Sequence, residues 1–201
     1  MSEPTSPGPG GVPRGKRATR KTLLALREAL TPATREAASR DIAARANALL
    51  DTRLAAGSVI ALYAAKGTEV ETLAIDAHAT AHGLRVAYPR VVAGDRRLVF
   101  HEVPRAGLVA ARFGLREPRA DAPTIPLDQI AAFVIPGIAF DRAGGRIGWG
   151  RGYYDATLEA APAALRIGLA FECQLVDHIV REAHDIPVHH ILTEVATYSV
   201  A

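Results

Sequence analysis

The chain has 201 residues, of which 49% are hydrophobic and 22% are charged, so it can bury the core of one globular domain. Its net charge of +3 comes from the first 22 residues, which carry +4 and leave the remainder near −1. This distribution argues against a broad nucleic-acid surface on the folded body. The single cysteine, Cys173, excludes an internal disulfide framework, and there is neither a bilayer-spanning apolar run nor a secretory signal, so we expect a cytoplasmic protein.

A leader and two helices are predicted first. Residues 1–15 are rich in proline, glycine and serine and have little to bury, so we expect a disordered leader before one domain over residues 16–201. Leucines recur at helical spacing from Lys16 until Thr31-Pro32, which ends the first helix and caps a second over residues 33–51. These two helices are expected to form an N-terminal hairpin.

Strands and helices alternate in the middle of the chain. Apolar residues 58–63 predict a strand, 69–82 a helix, and 85–88 a strand that Pro89 ends. A strand-helix-strand unit of this kind predicts parallel strands. Residues 98–103 alternate in polarity and predict one more strand.

The remaining chain completes an α/β pattern. Prolines, glycines and charges over residues 104–128 predict a long excursion across the surface. The later elements are predicted as a strand at 130–135, a helix at 152–160, a strand at 165–171 and edge strands at 191–193 and 197–200. We therefore expect a three-layer, Rossmann-like α/β fold with a mostly parallel sheet flanked by helices and preceded by the helical hairpin.

A glycine-rich segment after the strand at 130–135 is the most informative part of the sequence. It combines three alternate glycines, two arginines and a Tyr-Tyr-Asp cluster, namely Gly148, Gly150, Gly152, Arg146, Arg151 and residues 153–155. Glycines at alternate positions leave backbone N–H groups accessible to an anion. Each arginine can donate two hydrogen bonds to phosphate oxygens, and a carboxylate can bind a metal ion beside the phosphates. These residues predict a nucleotide-phosphate site, although the segment is neither a Walker loop nor a dinucleotide fingerprint.

This segment resembles the glycine loop of the 5-formyltetrahydrofolate cyclo-ligase family, also called 5,10-methenyltetrahydrofolate synthetases. The resemblance covers about residues 16–195. Further motifs occur in the family's order: Lys16-Arg17-Ala18-Thr19-Arg20, Glu69-Val70-Glu71-Thr72, Tyr88-Pro89-Arg90, Gly114-Leu115-Arg116-Glu117-Pro118, Phe171-Glu172-Cys173-Gln174 and His184-Asp185-Ile186-Pro187-Val188. It implies an ATP-dependent ring closure in which the formyl oxygen of 5-formyltetrahydrofolate attacks the γ-phosphate, N10 attacks the activated carbon, and phosphate leaves.

The resemblance also implies roles for individual residues. Two segments match the family's ATP contacts, and they comprise Lys16, Arg17, Ala18, Thr19 and Arg20 together with Arg146, Ile147, Gly148, Trp149, Gly150, Arg151, Gly152, Tyr153 and Tyr154. We expect Arg146, Arg151 and Tyr154 to be catalytic. Ala64 and Glu69 match folate contacts, and a carboxylate at Glu69 could accept two hydrogen bonds from the amino-pyrimidinone edge.

A magnesium ion is implied beside the phosphates, with Asp155 as a ligand. The family commonly has an acid at the position of His189, and histidine is a poorer magnesium ligand than a carboxylate. Either water completes the coordination shell, Asp185 or Glu194 substitutes, or metal binding is weaker.

Two other functions remain open on the sequence alone. One is a related ATP-dependent enzyme that acts on a different pterin or formamide, and the other is a regulatory nucleotide- or folate-binding protein without catalysis. We expect 5-formyltetrahydrofolate, with or without a polyglutamate tail, as the partner of a monomer or weak dimer, and neither nucleic acid nor membrane.

One histidine pair outside these motifs has the spacing of a metal site. His78 and His82 are four residues apart on the predicted helix, but alanine at position 79 excludes a zinc-protease motif. Asp76 and Thr80 flank the pair, which favours a solvated helix face instead.

Overall fold

The structure, a computed structural model, describes residues 15–200. The predicted leader, apart from Gly15, lies outside the described residues. The helices are α1 (Lys16–Ala29), α2 (Pro32–Arg53), α3 (Leu73–Ala81) and α4 (Tyr153–Glu159). The strands are β1 (Val59–Ala61), β2 (Arg85–Val91), β3 (Leu98–Glu102), β4 (Val109–Ala110), β5 (Arg116–Glu117), β6 (Thr124–Ile125), β7 (Ile130–Pro136), β8 (Ala139–Asp141), β9 (Arg146–Ile147), β10 (Leu165–Leu169), β11 (Leu175–Val176), β12 (His190–Leu192) and β13 (Thr197–Ser199).

An eight-stranded sheet organises the fold, in the order β13-β12-β10-β7-β1-β2-β3-β6. The five consecutive strands from β12 to β2 are parallel to one another. The outer pairings are antiparallel, namely β13 with β12, β3 with β2 and β6 with β3. This confirms the predicted mostly parallel sheet. Within residues 15–200, no helix combines the length and apolar character needed to cross a bilayer.

Alternation along the strands produces one core on each face of the sheet. Ile60 and Leu62 pack with α2 and α3, whereas Val59 and Ala61 belong to the opposite core, which includes Leu158 of α4. Because the three residues of β1 and the following Leu62 are all buried, this central strand is apolar on both faces, as expected of a parallel sheet covered by helices.

The two N-terminal helices are present, and they pack in different places. At their junction, the Thr31 hydroxyl accepts a hydrogen bond from Thr34 N at 3.1 Å, which confirms the predicted cap. The α2 helix lies on the large sheet, whereas α1 lies on a small sheet in the order β11-β8-β9. Leu23 of α1 packs there with Ile147 of β9 and with Ile138, which directly precedes β8. This small sheet, whose strands have two or three residues, was not predicted from the sequence.

Pro89 does not end β2, which was wrongly predicted to stop there and instead continues to Val91. The neighbouring strand β1 ends opposite Ala87, so beyond that residue β2 pairs with β3 alone. Arg85 N points toward β1, where it donates to Ser58 O, and residue 89 faces the same side. A proline is tolerated because no ladder bond is available there.

The α3 helix begins at Leu73 instead of the predicted Glu69. Glu71 Oε1 accepts a hydrogen bond from Leu73 N at 3.0 Å and so satisfies one backbone donor at the start of the helix. Glu69 therefore lies in the preceding turn.

Residues 104–128, predicted as an excursion across the surface, also contribute strands. Strand β6 within this segment pairs with β3 at the edge of the large sheet. The β4–β5 hairpin of the same segment reaches the cavity described next.

Candidate active site

A cavity of about 630 Å³ opens at the carboxyl ends of β1, β2 and β7, where sheets of this kind place their ligands. Most of the predicted site residues line it, namely Lys16, Arg20, Ala64, Glu69, Arg146, Ile147, Gly148, Trp149, Gly150, Arg151, Gly152, Tyr153, Tyr154 and Asp155. Arg17, Ala18, Thr19 and His189 do not line it. The fold thus brings the two predicted phosphate-binding segments and the predicted folate contacts into one space.

The turn before the glycine loop is held by a buried carboxylate, Asp141, that was not predicted from the sequence. Its Oδ1 accepts from Ala143 N at 3.0 Å and Gly145 N at 2.7 Å, and its Oδ2 accepts from Ile179 N at 2.7 Å. An aspartate directly before a glycine-rich turn is typical of this local geometry and was the available signal. The bonds fix the β8–β9 hairpin from which Arg146 projects.

Two loop glycines make room for arginine side chains. A Cβ on Gly148 would lie 2.9 Å from Arg146 Nη1, and one on Gly150 would lie 3.2 Å from Arg20 Nη2. Gly150 also has a φ of +84°, which L side chains rarely adopt. Larger residues would push two guanidinium groups away from the loop.

Arg146 is a buried cation with an unsatisfied donor. Its side chain is 7% exposed, and its Nη2 lies 2.9 Å from Asp155 Oδ1. The guanidinium carbon lies 5.6 Å from the centre of the Tyr154 ring. Within the described part of the chain, the buried Arg146 Nε has no hydrogen-bond partner. A phosphate oxygen would satisfy that donor and add negative charge beside a partly neutralised arginine.

Helix α1 delivers two more cations to the cavity. Arg20 Nε donates to Gly148 O at 2.8 Å, which joins α1 to the glycine loop. Lys16 Nζ lies 2.8 Å from Glu182 Oε1 and 2.7 Å from Asp185 Oδ2. Burial lowers the pKa of Lys16, but hydrogen bonds to these two carboxylates outweigh it, so the pKa is raised. The lysine stays charged and connects α1 to the segment that contains Glu182 and Asp185.

Glu69 lies at the other end of the cavity wall, in the turn after β1. Its Oε2 accepts from Lys66 N at 3.0 Å, and its Oε1 is 3.5 Å from Trp149 Nε1 of the glycine loop. Burial raises the pKa of Glu69, whereas the Lys66 N–H and the charge of Arg27 oppose that rise. A half-buried carboxylate with few partners is suited to hydrogen-bond donors on a ligand.

Arg27 supports this turn from beneath and was not predicted. It is 3% exposed, and its Nε donates to Thr68 Oγ1 at 3.0 Å. Burial lowers its pKa, while Glu69 opposes that shift. Its sequence signal is a charged residue in the buried stripe that α1 forms with Thr19 and Leu23.

The tip of the β4–β5 hairpin closes one side of the cavity. Phe113 has a φ of +60°, unusual for a residue with a side chain. Lys66 Nζ donates to Phe113 O, and the Arg151 guanidinium lies 4.9 Å from the centre of the Phe113 ring. The tip therefore contacts both the turn that contains Glu69 and the glycine loop.

Comparison with known proteins decides the family. A model of the 5-formyltetrahydrofolate cyclo-ligase family matches residues 12–194. The chain belongs to the 5-formyltetrahydrofolate cyclo-ligase family. A cyclo-ligase of Mycolicibacterium smegmatis is 33% identical over 190 residues, which are 90% of this chain and 94% of that protein. A cyclo-ligase of Haemophilus influenzae is 28% identical over 178 residues, with 86% and 94% covered.

Solved structures share the cyclo-ligase fold. The 5,10-methenyltetrahydrofolate synthetase of Aquifex aeolicus superposes with a TM-score of 0.77 over 92% of both chains at 24% identity. That of Mycoplasma pneumoniae superposes with a TM-score of 0.74 over 89% of this chain and 98% of the other, at 25% identity. The likeness extends over nearly the whole chain, so the fold is the one that these cyclo-ligase structures share.

The carboxylates in this cyclo-ligase cavity suit a magnesium ion, whereas His189 lies apart from them. Asp155, Glu182 and Asp185 line the cavity and offer the oxygen ligands that magnesium prefers. His189 Nδ1 accepts from Arg166 N at 3.1 Å, and its backbone N–H donates to Arg166 O. Burial and then the Arg166 charge lower its pKa, so the ring is neutral and its position gives the predicted metal role no support.

Proposed function

We propose that this protein catalyses the ATP-dependent closure of 5-formyltetrahydrofolate to 5,10-methenyltetrahydrofolate, with release of ADP and phosphate. One observation supports this most directly: a single cavity contains both the glycine loop with Arg146 and the acid Glu69. The reaction requires an ATP phosphate and a reduced folate to meet, and these groups are the ones that would bind them.

The glycine loop would bind the triphosphate. Arg20, Arg146 and Arg151 supply donors for phosphate oxygens, and Gly148 and Gly150 keep the backbone accessible. A formamide oxygen is a very poor leaving group, and its phosphorylation converts it into a good one. The residues therefore contribute positioning and stabilisation of the charge that develops during transfer, as in other phosphoryl transfers.

The turn after β1 would bind the pterin. Glu69 can accept two hydrogen bonds from the amino-pyrimidinone edge, with Ala64 lining the same wall. Tyr154 lies between the two ligands' binding regions, and burial followed by the charge of Glu69 raises its pKa. Its hydroxyl therefore keeps its proton and would serve as a hydrogen-bond donor, not as a base.

A magnesium ion would be held beside the phosphates by Asp155, and Asp185 or Glu182 would join it only after leaving Lys16. When bound, it supplies neutralisation of phosphate charge. Lys16 pairs with Glu182 and Asp185 in this structure, so the metal would compete with this lysine for the two carboxylates. A polyglutamate tail on the folate, a monomeric or weakly dimeric state and a cytoplasmic location remain predictions.

Incubation of the purified protein with 5-formyltetrahydrofolate, with and without Mg-ATP, tests the proposal. We expect methenyl absorbance and ADP to appear together, in equal amounts, and only when ATP is present. ATP binding without methenyl product would contradict this substrate and favour a related enzyme on another pterin. Binding of nucleotide or folate without turnover of any folate would favour the regulatory alternative.

A further inference from the structure

A second cluster of chemically active side chains lies between α2 and α3. It consists of Asp51 in the last turn of α2, His78 in α3 and His82 directly after it. His78 Nε2 lies 2.8 Å from Asp51 Oδ1, and the two imidazole rings stack with centroids 3.9 Å apart. One ligand atom from each of the three residues lies within 4.8 Å of the others.

The packing of the two helices creates this cluster. Ile75 and Ala79 of α3 are buried in the core that α2 also joins through Ala46 and Leu50. The core therefore fixes Asp51 opposite the histidine pair across 27 residues of sequence. The sequence alone gave only the pair, whose polar flanks favoured a solvated face, and the third ligand appears only in the fold.

One histidine is already oriented as metal ligands usually are. His82 Nδ1 lies 2.9 Å from His78 O. Because a carbonyl can only accept, Nδ1 carries the proton and Nε2 keeps the free lone pair. A hydrogen bond from the second ring nitrogen to a backbone carbonyl is the common arrangement for a metal-bound histidine, since it fixes both tautomer and ring orientation.

We propose that Asp51, His78 and His82 bind a divalent first-row transition metal, with zinc as the reference ion, and thereby join α2 to α3. Two imidazoles and one carboxylate match zinc and do not match magnesium, which prefers oxygen ligands. Zinc–ligand bonds of about 2.0–2.2 Å place tetrahedral ligands roughly 3.3–3.6 Å apart. His78 Nε2 and Asp51 Oδ1 are 2.8 Å apart, and all three ligand atoms lie within 4.8 Å of one another. Metal binding would therefore open the His78–Asp51 pair and rotate the two stacked rings, now 21° from parallel, until both lone pairs point at one ion.

This site is separate from the cyclo-ligase cavity. None of its three residues lines that cavity. The cluster lies at the carboxyl end of α3, whereas Glu71, near the proposed pterin site, caps the amino end of that helix. The two ends of α3 are about 12 Å apart, at 1.5 Å per residue. Metal binding at this cluster can therefore be tested independently of the proposed catalytic function.

Calorimetric titration of the chelator-treated full chain with zinc tests the inference. We expect saturable binding of one equivalent, insensitive to millimolar magnesium, and a zinc-dependent rise in Tm. Removing an outer partner of a metal ligand typically weakens binding by roughly 10- to 100-fold, so Asp51→Asn and His82→Ala should each weaken it at least that much. His178→Ala, which removes a histidine that is 74% exposed elsewhere, should bind zinc like the unaltered chain.

Cobalt absorption spectroscopy provides a second readout. Cobalt bound by the unaltered chain should show visible bands that change in His82→Ala, because the ligand set changes. Circular dichroism of each variant checks that it folds, and the variants should keep the cyclo-ligase activity of the parent. Absence of one-equivalent zinc binding, or equal affinity in Asp51→Asn, His82→Ala and the unaltered chain, would overturn the inference.

Discussion

Arg146 and Asp155 form an ion pair in the cavity wall, with Nη2 2.9 Å from Oδ1. The residue proposed to bind phosphate and the residue proposed to bind magnesium thus neutralise each other in the free protein. Ile186 N also donates to the same carboxylate oxygen at 3.4 Å. When the phosphates and their metal bind, Arg146 would contact phosphate and Asp155 would contact the metal. The ion pair between the two side chains would then be exchanged for these contacts.

Arg146→Ala should raise the KM for ATP by roughly 10- to 100-fold, because a charge-assisted hydrogen bond contributes about 1.5–3 kcal/mol. Folate binding should change little. Steady-state kinetics with each substrate varied in turn measures both effects. Arg142→Ala is the matched control, since Arg142 lies over the Tyr198 ring outside the cavity. Equal KM values for ATP in both variants would contradict the assignment of Arg146 to the phosphate site.

Glu69→Gln should weaken folate binding by roughly 10- to 100-fold, because the amide offers one acceptor where the pterin edge requires two. Burial raises the pKa of Glu69 above the ordinary glutamate value. Protonation therefore begins at a higher pH than for an exposed glutamate, and the folate KM of the unaltered protein should rise on acidification through that region. The variant should lack this step in its pH profile.

The stability of the Glu69→Gln protein separates binding from folding. A carboxyl whose pKa is raised in the folded state reduces stability as the pH rises from the unfolded pKa through the folded one. The variant should thus be at least as stable as the parent at neutral pH in thermal unfolding. An unchanged folate KM in a folded variant would contradict the assigned role.

Asp155→Asn should raise the magnesium concentration for half-maximal activity at least tenfold, a loss that even an outer-shell partner typically causes. His189→Asp should leave the magnesium titration unchanged, because residue 189 lies beside Arg166 and does not line the cavity. A magnesium titration of both variants at saturating substrates measures this. A shift in His189→Asp alone would place the metal elsewhere.

Phe113→Ala should loosen the β4–β5 hairpin. A cation–π contact at an exposed site contributes about 0.5–1 kcal/mol, so the open hairpin should become about 2- to 5-fold more populated. Amide exchange over residues 109–117 should accelerate by that factor, and the folate KM should rise similarly. Val109→Ala, an exposed change in the same hairpin, is the control. Unaltered exchange would show that the ring contact with Arg151 does not hold the tip.

The sequence by itself determined the features that depend on neighbouring residues. Apolar runs in strand-helix-strand order predicted the parallel strands, Thr31 predicted a helix start, and the glycines with Arg146 predicted the loop motif. These features follow from side-chain periodicity and local hydrogen bonds, which a short stretch of chain specifies on its own.

Only the tertiary structure decided which distant residues meet. Arg27 lies beneath the turn that contains Glu69, and Asp51 lies opposite His78. Each meeting is fixed by how an apolar helix face packs on the rest of the core, and packing depends on the shapes of many side chains at once. The same holds for Pro89, which is tolerated within β2 because the neighbouring strand β1 ends opposite Ala87.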